Sequence, residues 1–281
     1  MHTHAGVHRI FFVTKAIETE RTIRAMTDII LRSEHLGVSF GALKAVNDVS
    51  LDIEKGKFTT ILGPNGAGKT TYFNLVSGLL KPTTGKIFFK DTDITGYKAT
   101  ERIAAGMGRS FQLTNVFPML TVHENIRLAA QSYSKVGIRM FRSHRRYTEV
   151  NNKTDEILER VLLPHRRDAL AASLTHGEQR KLELGMVLAL EPEVLLLDEP
   201  TAGMAIEQVP VMIDIMRDTH QRGTTVLLIE HKMDLVKQLS DRLIILVNGK
   251  VLADGNPTEV SQNPDVLKAY LGGGVLDATT A

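Results

Sequence analysis

One stretch of eight residues constrains the fold of this chain more than any other: Gly63, Pro64, Asn65, Gly66, Ala67, Gly68, Lys69 and Thr70. It lies between an apolar run at 58–62 and a helix-like segment at 71–76, which is the strand–loop–helix context of a phosphate-binding loop. The glycines let backbone N–H groups turn towards phosphate oxygens, and the helix N-terminus adds a favourable dipole. Lys69 would reach the β- and γ-phosphates, and Thr70 would offer its hydroxyl to Mg²⁺. A plain glycine turn needs neither flanking element, so we expect this loop and Thr71 to bind a nucleotide.

A second apolar run, at 194–197, ends in Asp198 and Glu199. A continuous apolar run is typical of a buried parallel strand, and functional groups in such sheets follow the carboxyl ends of the strands. Asp198 would hold Mg²⁺ directly or through a water, and Glu199 would take a proton from the attacking water. The alternative is that Asp198 and Glu199 are simply two solvated acids at a strand end. The presence of the phosphate loop favours the functional interpretation.

Two further segments complete a set of four in a fixed order. Leu174-Thr175-His176-Gly177-Glu178-Gln179 precedes the Asp198 strand, and another apolar run, at 226–229, leads into His231. In this order the four segments resemble those of an ABC ATPase, from about residue 28 to residue 272. The resemblance implies an α/β P-loop NTPase fold with a mostly parallel core sheet, an antiparallel β subdomain and a helical subdomain. Its ligands would be ATP and Mg²⁺.

The short Gly-containing segment is similar to the Leu-Ser-Gly-Gly-Gln signature of that family. The corresponding residues, which we call the signature motif, are Leu174, Thr175, His176, Gly177 and Glu178. Thr175 keeps a hydroxyl and Gly177 keeps a close backbone approach, whereas His176 replaces a glycine and Glu178 a glutamine. In the family the signature completes the ATP site of a partner, so the resemblance implies a head-to-tail dimer with an identical or related subunit.

Three more positions acquire roles through the resemblance. Phe40 lies where the family stacks an aromatic ring on adenine, which requires only a π-face. Gln112 matches a glutamine that touches Mg²⁺ or the attacking water and joins the core to the helical arm. His231 matches the residue that contacts the γ-phosphate. Taken alone, these would be a core aromatic, a surface amide and a structural histidine. Ala205 departs from the family pattern, because aspartate is common at that position. The prediction of communication between the two sites of a dimer therefore has less support than the prediction of hydrolysis.

Composition agrees with a cytoplasmic nucleotide-binding protein. The chain has 281 residues, 43% of them hydrophobic, and no cysteine, which suits a reducing compartment. Its formal net charge of +2 gives no reason to expect nucleic-acid binding. No apolar run approaches the ~20 residues of a membrane-spanning helix. A peripheral position on the cytoplasmic face of the membrane would therefore depend on partners.

The chain divides into three predicted parts: an N-terminal extension (1–25), an ATPase domain (26–272) and a short tail (273–281). The extension differs in character from the ATPase domain, and we hypothesise that Met26 is the native start. Alternating residues at 29–53 and 86–89 predict antiparallel strands, and Asn248-Gly249 predicts a tight hairpin. Residues 117–172 form the predicted helical subdomain, with four arginines near Phe141 that we read as a solvated face or a partner contact: Arg139, Arg142, Arg145 and Arg146.

Within the ABC ATPases, the chain most resembles the subunits of bacterial branched-chain amino acid importers. The diagnostic stretches are 45–50, 109–112, 229–233 and above all Asn263-Pro264-Asp265-Val266-Leu267-Lys268-Ala269-Tyr270-Leu271-Gly272. This implies transmembrane permease partners and, indirectly, a solute-binding protein. A urea importer and a lipopolysaccharide exporter remain alternatives, and His176 resembles the urea branch. A non-catalytic nucleotide-sensing module is a further alternative, against which Glu199 and His231 argue.

Overall fold

The computed structural model describes residues 28–110, 116–133 and 144–271, and these residues form two β-sheets flanked by helices. The larger sheet has the strand order β10-β9-β3-β8-β7-β6, with parallel pairing from β9 to β6 and an antiparallel β10 at its edge. Its strands are β3 (Phe58–Leu62), β6 (Met107–Arg109), β7 (Val194–Asp198), β8 (Thr225–Ile229), β9 (Arg242–Val247) and β10 (Lys250–Gly255).

The smaller sheet is antiparallel, with the order β2-β1-β4-β5. Its strands are β1 (Ile29–Phe40), β2 (Leu43–Glu54), β4 (Thr84–Phe89) and β5 (Thr92–Asp93). Helices occupy the remaining positions: α1 (Lys69–Val76), α2 (Ala99–Ala105), α3 (Val122–Tyr133), α4 (His144–Arg160), α5 (His176–Leu188), α6 (Val209–Gln221), α7 (Met233–Leu239), α8 (Pro257–Ser261) and α9 (Pro264–Leu271).

The core strands are apolar on both faces because each face packs on a different layer. On β7, Leu196 packs with residues of the antiparallel sheet, whereas Leu195 and Leu197 pack with residues of the α3–α6 helices. Residues on β8 alternate in the same way. A strand buried on both faces reads as a continuous apolar run, which explains why β3, β7 and β8 were recognisable in the sequence.

Parallel pairing places the three functional loops side by side. β8 lies between β3 and β7, and Asp198 at the end of β7 pairs in register with Ile229 at the end of β8. The carboxyl ends of β3, β7 and β8 therefore open at one edge of the sheet, where the phosphate loop, Glu199 and His231 are located.

The structure confirms the predicted fold class and the local elements that support it. Strands cover 29–53 and 86–89, and Asn248 and Gly249 have φ values of 50° and 72°, as a tight hairpin requires. Residues 117–172 contain α3 and α4. No helix in the described ranges is long and apolar enough to span a bilayer.

Some predictions concern residues beyond the described ranges. The extension 1–25, the tail 273–281 and Met26 lie outside those ranges, so the three-part division stays a prediction. Gln112 and the side chains of the arginines at 139–146 also lie outside the described residues.

Candidate functional site

The phosphate loop, residues 63–70, connects the end of β3 to the start of α1 and is pressed against two other strands. A Cβ on Gly63 would lie 2.1 Å from the carbonyl oxygen of Leu246 on β9, and a Cβ on Gly68 2.2 Å from that of Ala45 on β2. Gly68 also has a φ of 97°, a conformation that side chains rarely adopt. The loop therefore requires glycine at both places, one for space and the other for space and backbone conformation.

Lys69 is enclosed by this loop and is only 8% exposed. Its Nζ donates hydrogen bonds to the carbonyl oxygens of Gly63 at 2.6 Å and Pro64 at 3.1 Å. Burial lowers the pKa of Lys69 from its ordinary value, and the charges of Glu199 and Asp198 oppose that shift. The ammonium group is thus held at the centre of the loop, where phosphate oxygens would be placed.

The other loop positions differ in their exposure. Asn65 and Gly66 are exposed at the tip of the loop, and Ala67 is buried, with its N–H bonded to the Pro64 carbonyl. Thr70 and Thr71 lie in the first turn of α1 and are partly exposed. Free N–H groups at a helix start favour an anion, so α1 presents a suitable phosphate cradle.

Asp198 ends β7 as a carboxylate that is 1% exposed. Among the described residues neither of its oxygens has a hydrogen-bond partner, and Nη2 of Arg109 lies 3.6 Å from Oδ2. Burial raises the pKa of Asp198; Arg109 opposes that rise and Glu199 adds to it. Buried polar oxygens are rarely left unpaired. Mg²⁺ or one of its waters would satisfy them, and together with the Thr70 hydroxyl in the first turn of α1 the donor set fits a cation that keeps most of its ligands from water and phosphate.

Glu199 and His231 are brought together by the pairing of β7 with β8. Glu199 has a φ of 48°, and its N–H donates to the Ile229 carbonyl oxygen at 3.0 Å. The Glu199 side chain is 32% exposed, and its Oε1 lies 4.0 Å from Nδ1 of His231, whose ring is half-exposed. A carboxylate beside the phosphate loop that water can reach is chemically suited to act as a general base.

Three residues around this site were missed by sequence reasoning. Arg109 faces Asp198 and also donates to the Ser77 hydroxyl at the end of α1. Glu230 is fully buried and accepts a hydrogen bond from the Thr201 hydroxyl at 2.6 Å. For Glu230 the available signal was an acid directly after an apolar run. Arg109 and Thr201 carried no comparable signal, because their partners are distant in sequence.

The C-terminal end of α1 is held by a buried arginine on α2. Arg102 donates from Nη1 to the carbonyl oxygens of Leu75 at 2.8 Å and Val76 at 2.6 Å, and from Nη2 to that of Ile94 at 2.9 Å. Burial lowers the pKa of Arg102 to about 10, so it remains charged at neutral pH. A cation at a helix C-terminus stabilises the helix, and here it anchors the helix that follows the phosphate loop.

Phe40 ends β1 as a ring that is 52% exposed. It pairs with Leu43 across the β1–β2 turn, and β2 then leads to Ala45, whose carbonyl contacts the phosphate loop. The exposed ring has a free face for stacking, as the adenine prediction requires. Its role stays a prediction.

The signature motif forms the start of α5. The Thr175 hydroxyl accepts from the N–H of Glu178 at 3.3 Å, and Oε2 of Glu178 accepts from the N–H of Thr175 at 2.9 Å, which makes a capping box. Burial tends to raise the pKa of Glu178, but hydrogen bonds from Thr175 and the charge of Arg166 hold it below the ordinary value. Leu174 is buried ahead of the cap.

The signature motif also contacts the loop at 200–205 and the turn after it. A Cβ on Gly203 would lie 3.2 Å from Cε1 of His176, and a Cβ on Gly177 1.4 Å from Oε1 of Gln208. His176 therefore packs against the loop that follows Glu199. This contact joins the signature motif to the loop that follows β7 and Glu199 in the same chain.

A groove of about 420 Å³ lies between α2, α3 and α5. Its apolar lining includes three exposed side chains, Ile103, Phe117 and Leu128, and two largely buried charged residues, Arg109 and Glu183, also line it. Arg109 thus lines the groove and also faces Asp198 at the end of β7.

Comparison with known proteins gives a consistent result. The family model described as ABC transporter matches residues 46–202, and that described as branched-chain amino acid ATP-binding cassette transporter matches residues 250–275. The high-affinity branched-chain amino acid transport ATP-binding protein LivG of Salmonella typhimurium is 36% identical over 88% of this chain and 99% of its own. BraF of Pseudomonas aeruginosa, with the same description, has the same identity and coverage. The ADP conformation of MJ1267, an ATP-binding cassette of an ABC transporter, superposes with a TM-score of 0.76, 30% identity and coverage of 88% and 100%.

Proposed function

This chain belongs to the ABC transporter family as an ATP-hydrolysing subunit, and on that premise we propose that it powers import of branched-chain amino acids through partner membrane permeases. The observation that carries the solute class is the similarity to branched-chain amino acid transport ATP-binding proteins over 88% of the chain. The separate match at residues 250–275 supports the same class, because it falls outside the nucleotide motifs.

ATP binding is assigned to the phosphate loop and the start of α1. Backbone N–H groups of the loop would bind the phosphates, and the enclosed ammonium of Lys69 would neutralise the β- and γ-phosphates. Mg²⁺, when bound, supplies a cation that offsets the charge on the phosphate oxygens. Thr70, Asp198 and Gln112 would hold it. Phe40 would stack on the adenine ring.

Hydrolysis is assigned to Glu199 as general base and His231 as the γ-phosphate contact. The backbone of Glu199 is fixed by its hydrogen bond to Ile229, so its carboxylate is held at the open edge of the sheet. Taking a proton from water at this place generates the nucleophile beside the phosphate loop. His231, 4.0 Å from that carboxylate, would donate a hydrogen bond to the γ-phosphoryl group that water attacks, with ADP as the leaving group.

The working unit is proposed to be a head-to-tail dimer with ATP at the interface. The partner would be an identical or related subunit, and its signature motif would cover the phosphates bound by this chain. Leu174, Thr175, His176, Gly177 and Glu178 would serve the partner's site in the same way. His176 and Glu178 replace smaller or neutral family residues, so the contact across the dimer is expected to be weaker than in members with the common signature.

The groove between α2, α3 and α5 is our proposed permease-docking surface. Its lining is mostly apolar and includes the exposed side chains of Ile103, Phe117 and Leu128, a surface suited to the apolar face of an amphipathic helix. Docking there would hold the chain at the cytoplasmic face of the membrane. A solute-binding protein would act through the permease, and no nucleic-acid partner is expected.

The proposal is tested with cells whose only copy of the chain carries Glu199→Gln. Loss of the general base should lower kcat for ATP by about 10²–10⁴-fold while leaving ATP affinity within about threefold. Uptake of labelled leucine should fall to background, and uptake of labelled urea should be unchanged. Phosphate release by the purified chain and uptake by the cells are the two measurements.

Glu259→Gln, an exposed change on α8, is the matched control and should leave both rates unchanged. Loss of urea uptake alone would assign the chain to urea import instead. Unchanged uptake of both solutes would reject import of either. Normal phosphate release by the Glu199→Gln variant would reject the assignment of the general base.

A further inference from the structure

Glu230 is a fully buried acid between the end of β8 and His231. Its Oε1 accepts a hydrogen bond from the Thr201 hydroxyl at 2.6 Å, and its Oε2 accepts one from the backbone N–H of His231 at 3.0 Å. The basic nitrogen that faces Oε2 is Nδ1 of His231, at 3.7 Å. None of the roles proposed above uses this carboxylate.

A buried carboxylate at this position destabilises the fold unless it is compensated. An ionised carboxyl group removed from water is strongly destabilising unless it is hydrogen-bonded and paired with opposite charge. The Thr201 hydroxyl and the backbone N–H of His231 provide the hydrogen bonds. The His231 ring is the adjacent basic group. Retention of such a group next to a catalytic loop points to a positional role.

One edge of the His231 ring faces two carboxylates. Nδ1 is 3.7 Å from Glu230 Oε2 and 4.0 Å from Glu199 Oε1. Nε2 is on the opposite edge of the ring, so it is the nitrogen that would be available to the γ-phosphate. The buried Glu230 is the fixed member of this arrangement, because both of its oxygens are bonded.

Thr201 extends the arrangement to a second loop. It is almost fully buried two residues after Glu199, so its hydrogen bond to Glu230 connects the loop after β7 to the loop after β8. A movement of either loop would break this hydrogen bond. The position of His231 is therefore tied to that of the Glu199 loop by one carboxylate.

We propose that Glu230 is a positioning residue that orients the His231 ring and, through Thr201, couples it to the loop that carries Glu199. This role rests on the functions proposed above for His231 and Glu199. It gives Glu230 no contact with ATP. The effect of Glu230 is on kcat, because the ring it orients acts after ATP has bound.

The first test is Glu230→Gln in the full chain. The amide oxygen can still accept from the His231 N–H, and the amide N–H can donate to Thr201, so the variant removes charge and keeps the hydrogen bonds. We expect kcat for ATP hydrolysis to fall about tenfold and KM to stay within about twofold. Thr201→Val should lower kcat by about threefold, and the exposed Glu259→Gln change should lower neither.

The second test reads the ring directly and needs no ATP. With ¹⁵N-histidine labelling, the ring nitrogen shifts of His231 are assigned by comparison with His231→Ala. Glu230→Gln should change these ring nitrogen shifts, because the ring loses the acid that faces Nδ1, whereas Glu259→Gln should leave them unchanged. Unfolding by denaturant, followed for both proteins, identifies any loss of kcat that comes from misfolding.

A double-mutant comparison decides the outcome. In a His231→Ala background, Glu230→Gln should change kcat by less than about twofold, because the ring it orients is gone. Unchanged ring nitrogen shifts in Glu230→Gln, or the full tenfold loss in the His231→Ala background, would overturn the role of Glu230. Normal hydrolysis by His231→Ala with altered ring nitrogen shifts in Glu230→Gln would instead overturn the proposed function of His231.

Discussion

The phosphate loop and the start of α5 are both proposed to bind ATP, yet they use their polar groups in opposite ways. Lys69 and Asp198 are buried, and within the described residues the Asp198 oxygens have no hydrogen-bond partner. At α5, Thr175 and Glu178 satisfy each other in a capping box. The oxygens of Asp198, beside the phosphate loop, therefore remain able to bind a ligand. The polar groups of Thr175 and Glu178 are already bonded to each other at the start of their own helix. This difference suggests that one half-site is formed by tertiary structure and the other depends on its partner.

The two regions also differ in what surrounds their glycines. A side chain at Gly68 would meet a backbone carbonyl at 2.2 Å, whereas one at Gly177 would meet the flexible end of Gln208. Backbone cannot move away without distorting β2, but a side-chain amide can rotate. The phosphate loop should therefore be rigid where the signature motif is adjustable.

Gly68→Ala should produce the largest effect. The added Cβ combines a φ of 97° with a clash against the Ala45 carbonyl, so we expect the free energy of unfolding to fall by about 2–4 kcal/mol. ATP affinity should fall at least about tenfold, because the loop must shift. Denaturant titration and nucleotide-binding titration measure the two quantities.

Gly223→Ala is the control for Gly68→Ala. Gly223 has a φ of 95° but no atom within 4 Å of an added Cβ, so it isolates the conformational strain at about 1–2 kcal/mol. Equal losses of stability in the two variants would show that the contact with β2 is soft, and the contrast between the two regions would fail.

Gly177→Ala should have a smaller effect on stability and a distinct effect on assembly. Because the Gln208 side chain can move and alanine favours a helix, the free energy of unfolding should change by less than about 1 kcal/mol. ATP-dependent dimerisation should weaken about tenfold, since displacement of Gln208 or the added methyl group itself would alter the surface proposed to meet the partner. Sedimentation velocity in the Glu199→Gln background, with and without ATP, measures the dimer.

Adding Gln208→Ala separates the two possible causes of weaker dimerisation. Recovery of the dimer would assign the defect to displaced Gln208, and no recovery would assign it to the methyl group at the interface. A loss of more than about 2 kcal/mol in stability would contradict the expectation that the signature motif is adjustable.

Glu178→Gln should have the smallest effect, in the opposite direction. The depressed pKa keeps Glu178 charged at neutral pH, and a negative charge at the start of α5 opposes an approaching phosphate. Glutamine can retain the capping box, so ATP-dependent dimerisation should strengthen by about threefold, less so at high salt. The same sedimentation experiment at two salt concentrations checks this.

Glu178→Ala separates the charge from the cap. It should lower the free energy of unfolding by about 1 kcal/mol, because the hydrogen bonds that the Glu178 carboxylate accepts from Thr175 and its ion pair with Arg166 are lost. A weaker dimer for Glu178→Gln at low salt would mean that the carboxylate contributes a contact to the partner, and the proposed electrostatic opposition would be wrong.

Local patterns carried most of what could be predicted. The run at 58–62 and the Asn248-Gly249 turn depend on neighbouring residues, and the structure has both. The approach of Glu199 to His231 is a consequence of the general rule that parallel strand ends meet at one sheet edge.

The rest depends on neighbours that are distant in the chain. Arg109 faces Asp198 across 89 positions of sequence, and Thr201 bonds to Glu230 across 29. The Glu178 cap is local and recognisable as a Ser/Thr-x-x-Glu pattern, but its resemblance to the family's glutamine drew attention to a partner subunit instead. Tertiary contacts thus decide which polar groups remain available to a ligand.

The position of β3, β8 and β7 side by side has a consequence for biogenesis. Their amides lie in the doubly covered centre of the sheet, where hydrogen exchange requires opening of the whole fold, whereas the exposed start of α5 can open locally. A newly made chain that has not yet joined the proposed transporter should therefore already have a formed nucleotide pocket. Cellular ATP would then bind unassembled chains and protect them from proteolysis. The nucleotide would thus stabilise the folded chain before it is hydrolysed.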